Sequence, residues 1–257
     1  MTYNSITKST NRGIQITIRD SGSQGNQTVL KDKKSGKQLI FDAGVMPSPA
    51  MKRSMKNILG VCLTHCHRDH SGKVKHYKIP IFGTEEELTD GRVTSQYDMV
   101  FNVPDVTYVK PNEKFSIGPF TIIALKANHD TPNPVHYYVK IRDFGFFYGC
   151  DSVDYPEEYD KYFNDADVIM IECNYDLDMM KNDSGVDEPY PEDLKLRITE
   201  KGHASSDYIK KRMKKYESKL ILSHLSRAYN LPSKMDETFK KSIVVASKDR
   251  CPIYIHL

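Results

Sequence analysis

The chain has 257 residues, 39% of them hydrophobic and 28% charged, with a net charge of +3. This is the composition of a globular protein with a sizeable core; the charge tolerates a polyanionic partner without demanding one. No run approaches the roughly 18 apolar residues that cross a bilayer. Met1 to Gln15 is polar and lacks the apolar core of a secretory signal, so a cytoplasmic protein with no membrane partner is expected.

In chain order, apolar runs bounded by turn residues predict strands at Ile14–Ile18, Gln27–Leu30, Leu39–Phe41, Ile58–Leu63 and Ile79–Phe82. Helical stretches are expected at Ser48–Lys56, Ser71–His76 and Glu85–Asp90, and a loop over Gly91–Asp105. Strands follow at Phe120–Leu125, His136–Ile141 and Phe144–Tyr148, then a loop at Asp151–Asp165 and strands at Val168–Glu172, Leu220–Leu222 and Pro252–Ile255. Helices are expected at Glu192–Glu200, Ser205–Tyr216 and Lys234–Ser242, with Ser205 and Ser206 as capping residues. Hairpin-like pairs in the first half, and strands joined to helices in both, imply packed sheets with helices outside. No linker or repeat divides the chain, so one domain over residues 1–257 is expected.

Five cysteines, Cys62, Cys66, Cys150, Cys173 and Cys251, include no C-x-x-C pair and read as reduced, mostly buried thiols. Basic residues cluster at Lys52, Arg53 and Lys56, at Lys73, Lys75 and Lys78, and at Lys210, Lys211, Arg212, Lys214 and Lys215. Each cluster reads first as the solvated face of a helix.

The segment Thr64-His65-Cys66-His67-Arg68-Asp69-His70 carries the strongest signal. It follows the apolar run Ile58–Leu63 and has the form H-x-H-x-D-H. His65 and His67 leave an extended segment on the same side; Asp69 and His70 follow where a turn opens into a helix. Burying so many titratable groups without a metal is costly, and imidazoles with carboxylates suit borderline metals such as zinc, manganese or iron. Further ligand types stand after strands: His129 in Asn128-His129-Asp130, Asp151 in Gly149-Cys150-Asp151, and His224 in Ser223-His224-Leu225. His76, His136 and His256 lack such context and read as packing or surface residues.

This order of motifs resembles the metallo-β-lactamase superfamily along essentially the whole chain. The resemblance implies an α/β fold, a four-layer αβ/βα sandwich with two metals at one edge of two packed mixed sheets. It implies that His65, His67 and His129 hold the first metal and Asp69, His70 and His224 the second, with Asp151 bridging both. Asp42, in Phe41-Asp42-Ala43-Gly44, matches an aspartate that orients a ligand histidine from behind. Ser21-Gly22-Ser23-Gln24-Gly25-Asn26, Glu172-Cys173-Asn174-Tyr175-Asp176, Tyr190-Pro191, Gly202-His203-Ala204-Ser205, Ser223-His224-Leu225-Ser226 and Asn230-Leu231-Pro232 resemble the YycJ/WalJ-like group, whose members are nucleases related to tRNA-processing and RNA-degrading enzymes.

The expected activity is phosphodiester hydrolysis of nucleic acid, from an end, with two divalent ions (zinc or manganese) and a bridging water ionised to hydroxide. Asp69 or Asp151 would accept the water's proton, and by resemblance His203 would donate to the leaving oxygen or hold the phosphate. The Ser21–Asn26 turn, through Ser23 and Asn26, is a weaker candidate for a phosphate contact. The alternative is a cyclic-nucleotide phosphodiesterase, like the tRNase-Z-like enzymes that phages use against nucleotide immune signals. Gly91–Asp105 with Tyr97 would then form a lid, across a homodimer.

Overall fold

The computed structural model describes residues 12–95, 105–149, 151–239 and 243–257. Its strands are β1 (Ile14–Asp20), β2 (Gln27–Asp32), β3 (Gln38–Phe41), β4 (Ile58–Cys62), β5 (Ile81–Gly83), β6 (Val106–Tyr108), β7 (Lys114–Ile117), β8 (Phe120–Lys126), β9 (Val135–Ile141), β10 (Phe144–Tyr148), β11 (Val168–Glu172), β12 (Lys219–Ser223), β13 (Ile243–Val245) and β14 (Ile253–His256).

They form two seven-stranded sheets, ordered β14-β1-β2-β3-β4-β5-β6 and β13-β12-β11-β10-β9-β8-β7. Both are mixed: hairpin strands pair antiparallel from β14 to β3 and from β7 to β10, while β3 to β6 and β10 to β13 run parallel. Period-two alternation explains the layering. Ile14, Ile16 and Ile18 of β1 meet Phe120, Ile122 and Ala124 of β8 in the core between the sheets. The opposite faces are apolar too and are covered by helices. Ile169, Ile171 and Leu222 pack against Phe163, Ile209, Met213 and Met235 on one side, and Ile40 and Val61 against Met51 and Leu88 on the other. The result is the four-layer sandwich expected from the motif order. Among the described residues no helix is long and apolar enough to cross a membrane.

Several local expectations need correction. The Asp151–Asp165 stretch read as loop contains a helix at Asp160–Asp165, and a further helix, Leu177–Asn182, was not anticipated. The helix expected at Ser71–His76 instead starts at Arg68 and ends at Ser71, and a separate 3₁₀ turn spans Val74–His76. The helix at Glu192–Arg197 continues as a π-helical turn, Ile198–Gly202. Ser205 caps its helix as expected, accepting the Tyr208 N–H at 3.2 Å. In Gly91–Asp105, Gly91–Thr94 forms one helical turn. Residues 96–104, Tyr97 among them, lie outside the described residues, as do Cys150 and the end of the helix expected at Lys234–Ser242. Cys62, Cys66 and Cys173 are buried free thiols, and Cys251 is partly buried.

His136 lies in the core, its ring 5.0 Å from that of Tyr155 and nearly parallel to it. Burial pushes its imidazole down from 6.5 to about 3. The unfolded chain therefore takes up this proton first. The neutral ring's contribution is complete above pH 6.5 and is lost as pH falls towards 3, at about 1 kcal/mol per pH unit. His136→Phe is expected to flatten the acid limb by about that slope between roughly pH 6 and 4, measured by urea denaturation.

Candidate metal centre

The site residues gather at the carboxyl ends of strands from both sheets, where open α/β sheets leave a crevice. Asp42 follows β3, His65 to His70 follow β4, His129 follows β8, Asp151 follows β10 and His224 follows β12. The turn carrying Asp69 and His70 is clamped by backbone bonds: Asn26 N–H to Asp69 O at 2.7 Å and Ala43 N–H to His70 O at 2.6 Å. Gly44 makes the close approach possible, since a Cβ there would stand 1.7 Å from the Asp69 carbonyl oxygen. Asp42 and His224 both adopt left-handed backbone, at φ 61° and 52°, a strained conformation for such residues that clusters at functional sites.

All seven residues expected as metal ligands converge. Nitrogen and oxygen atoms of His65, His67, His129 and Asp151 lie within 4.8 Å of one another, as do those of Asp69, His70, Asp151 and His224. Asp151 belongs to both groups and is 2% exposed. His129 Nε2 faces His67 Nδ1 at 3.1 Å; His224 Nε2 faces Asp69 Oδ2 at 3.1 Å and Asp151 Oδ2 at 3.4 Å.

The outward hydrogen bonds fix which ring nitrogens point inward. Asp42 Oδ1 accepts both the backbone N–H and the hydroxyl of Thr64, each at 2.9 Å. With its own proton so committed, Thr64 Oγ1 accepts from His65 Nδ1 at 3.0 Å. His65 Nε2 is then left as a lone pair, buried and with no hydrogen-bond partner. His129 Nδ1 donates to Gly202 O at 2.6 Å, and His70 Nδ1 to Asp42 Oδ2 at 2.9 Å, which again leaves each Nε2 facing the cluster. Tyr148, on the opposite sheet, donates its hydroxyl to Asp42 Oδ2 at 3.0 Å. His224 differs: its Nδ1 lies 3.0 Å from the Asn174 amide nitrogen, and its Nε2 proton sits against the Asp69 and Asp151 carboxylates, so a divalent ion held by His224 would displace that proton.

The electrostatics agree. Burial, reinforced by the neighbouring histidines, holds His65 well below its ordinary value and His67 at about 4. Burial alone would lower His224 too, but the Asp151 carboxylate and the bond to Asp69 raise it to about 9. Burial would raise Asp151, yet His224 and His70 hold it ionised, well below the ordinary range. Lone-pair nitrogens turned inward around shared carboxylates are the donor set of a divalent cation site. An orphaned nitrogen such as His65 Nε2 is rare in a core unless something outside the protein satisfies it.

His203 joins from the π-helical turn. Its Nδ1 shares a hydrogen bond with Glu172 Oε2 at 2.8 Å and lies 3.9 Å from Asp151 Oδ2. Glu172, at the end of β11, is fully buried; its other oxygen accepts the Ala204 N–H at 2.6 Å and the Ser152 N–H at 3.1 Å. Sequence reasoning quoted Glu172 only within a motif and gave it no role, although a carboxylate ending an all-apolar buried strand was a signal. Asn26 is buried, and its amide is engaged with Gly22, Asp69 and His70; Ser23 is exposed beside the site.

A family model described as a beta-lactamase superfamily domain matches residues 38–215. The chain belongs to this superfamily, and its paired sheets and histidine–aspartate cluster place it among the metal-dependent hydrolases of the metallo-β-lactamase fold. It is 24% identical over 241 residues to the exodeoxyribonuclease WalJ of Streptococcus pneumoniae serotype 2, strain D39, a match covering 85% of this chain and 84% of that protein. Among solved structures it resembles the metallo-beta-lactamase fold protein YhfI from Bacillus subtilis, with a TM-score of 0.67, 18% identity and coverage of 94% and 98% of the two chains. It also resembles the short form of human tRNase Z, with a TM-score of 0.64, 15% identity and coverage of 94% and 98%.

Proposed function

We propose that this chain is a dinuclear-metal phosphodiester hydrolase acting on nucleic acid strands from an end. The carrying observation is the inward-facing set of lone pairs around Asp151, including the orphaned His65 Nε2. In this reading His65, His67 and His129 hold one divalent ion, Asp69, His70 and His224 the other, and Asp151 touches both. Zinc and manganese both suit these donors. When bound, such ions make water acidic enough to attack near neutrality and offset charge on the phosphate oxygens.

The chain's own residues do the rest. Asp42 and Thr64 keep His65 and His70 in the tautomers that face inward. Burial and the Asp151 charge push the Glu172 carboxyl well up, so it carries the proton of its bond to His203 Nδ1, and the neutral ring keeps its own proton on Nε2, available to the leaving oxygen. Asn26 braces Asp69 and His70, leaving Ser23 as the phosphate contact on that turn. A cavity of about 280 Å³ receives the scissile group, lined by Ser23, His67, Asp69, His129, Asp151 and His203.

A strand substrate is supported by a neighbouring groove of about 330 Å³ that shares Ser23 and Asp69 with this cavity and is lined by Arg68, Lys73 and Lys75, and by Arg92, which is paired to Asp90. Cations in that position suit a run of phosphates more than a single cyclic nucleotide. In the basic cluster Lys210–Lys215, Arg212 and Lys215 are paired to Asp160. Similarity to a protein named exodeoxyribonuclease adds support for hydrolysis from an end.

The test is metal-stripped protein reconstituted with zinc or manganese, incubated with end-labelled single and double strands of DNA and RNA, and separately with cyclic AMP, GMP, CMP and UMP. Progressive shortening of strands with cyclic nucleotides intact is expected. Cyclic nucleotide hydrolysis beside intact strands replaces the reading with the cyclic-nucleotide one, and no hydrolysis of either rejects both.

A further inference from the structure

His67 stands apart from the other histidines of its group. The Thr64 hydroxyl holds the outer nitrogen of His65 at 3.0 Å, and the Gly202 carbonyl holds that of His129 at 2.6 Å. His67 Nδ1 faces His129 Nε2 at 3.1 Å, which leaves Nε2 as its outer nitrogen. The group that meets this nitrogen is the carboxylate of Asp130, with Oδ1 3.5 Å away.

Among the described residues Asp130 belongs to none of the three groups with metal-ligand spacing. Its Oδ2 accepts from Arg197 Nε at 2.5 Å. Its Oδ1 is buried with no hydrogen-bond partner, a state that buried polar atoms seldom keep. Two imidazole nitrogens lie near this oxygen, His129 Nε2 at 3.2 Å and His67 Nε2 at 3.5 Å. The His129 proton is on Nδ1, against Gly202, so its Nε2 offers Oδ1 only a lone pair. Of the two, His67 Nε2 alone can supply a proton. Charge points the same way. The second group has a carboxylate of its own, Asp69, whereas the first has only the shared Asp151. Asp130 adds a negative charge beside the first group without taking a place in it.

We infer that Asp130 is a positioning residue for the first metal: set by Arg197, it keeps the His67 proton on Nε2 and so turns the Nδ1 lone pair towards His129. The role rests on the dinuclear reading. The rival tautomer donates from His67 Nδ1 to His129 Nε2 and uses up both lone pairs in one hydrogen bond. It also leaves Asp130 Oδ1 with no proton to face, and a charged acceptor holds a proton more strongly than a neutral one.

Asp130→Asn keeps the shape and inverts the polarity. Arg197 Nε is a donor, so the amide oxygen must turn to Arg197 and the NH₂ to His67, where it donates to Nε2 and drives the ring proton to Nδ1. Histidine nitrogen-15 shifts of the metal-free protein read the tautomer without turnover, at about pH 8, where His67 is neutral; His67→Asn assigns its signals. The native ring is expected to carry its proton on Nε2, and the Asp130→Asn ring on Nδ1. In a zinc titration against a chromophoric chelator, Asp130→Asn should weaken one of two equivalents by about tenfold to hundredfold. A native ring protonated on Nδ1, the same tautomer in both proteins, or unchanged zinc affinity overturns the role. Loss of a whole equivalent in Asp130→Asn and Asp130→Ala alike overturns it too and makes Asp130 a ligand. If the native protein binds no zinc, the metal reading fails, while the His67 shifts still decide whether Asp130 sets its proton.

Discussion

Asp151→Ala is expected to leave the chain with less than one equivalent of bound divalent metal and to lower phosphodiester hydrolysis by about three orders of magnitude or more, roughly 4 kcal/mol in the barrier. Among the described residues its carboxylate is the only group common to both donor sets. One oxygen stands 3.4 Å from His224 Nε2 and 3.8 Å from both His65 Nε2 and His129 Nε2; the other stands 3.5 Å from His70 Nε2. Without it Asp69 still faces His70 and His224, and Asp130 still faces His67 and His129, but no carboxylate is left common to both groups, and two cations bound there would lose the charge that offsets their repulsion. Elemental analysis after gel filtration and the rate on an end-labelled strand check this. Two retained equivalents with a rate within tenfold of the native one would show that Asp151 does not join the two metals.

His203→Ala should behave differently. A loss of about 10² to 10⁴ in kcat is expected on a strand substrate, with metal content unchanged. The distinction matters because Asp151, Glu172, His203 and His224 themselves form a third group with metal-ligand spacing. His203 Nδ1 is committed to Glu172 at 2.8 Å, and burial keeps the ring's value down, at about 4. With Nδ1 so held, Nε2 is the nitrogen left for a proton transfer in the cavity that His203 lines. A p-nitrophenolate leaving group needs no proton, so the variant should retain most of its rate on bis(p-nitrophenyl) phosphate. Equal losses on both substrates, or loss of a metal equivalent, would make His203 a ligand.

The structural parts of the sequence reading fared unevenly, for physical reasons. Strands buried on both faces, such as β10 and β11, announce themselves as unbroken apolar runs. β6 and β7 do not: they lie at sheet edges, their side chains are largely exposed, and pairing with a neighbour rather than burial makes them strands. The helix at Asp160–Asp165 hid within a charged stretch because Phe163 is its one buried residue.

At the metal centre, the local sequence determined the donors that sit together, since the spacing in H-x-H-x-D-H and the strand before it dictate where those side chains go. It also marked His129, Asp151 and His224 as ligand types at strand ends. Only the tertiary structure decided what surrounds them. Thr64 and Asp42 lie 22 residues apart, Asp42 and Tyr148 106 apart, and Glu172 and His203 31 apart. These contacts are set by which strands become neighbours and how two sheets face each other, and no local pattern of residues encodes that.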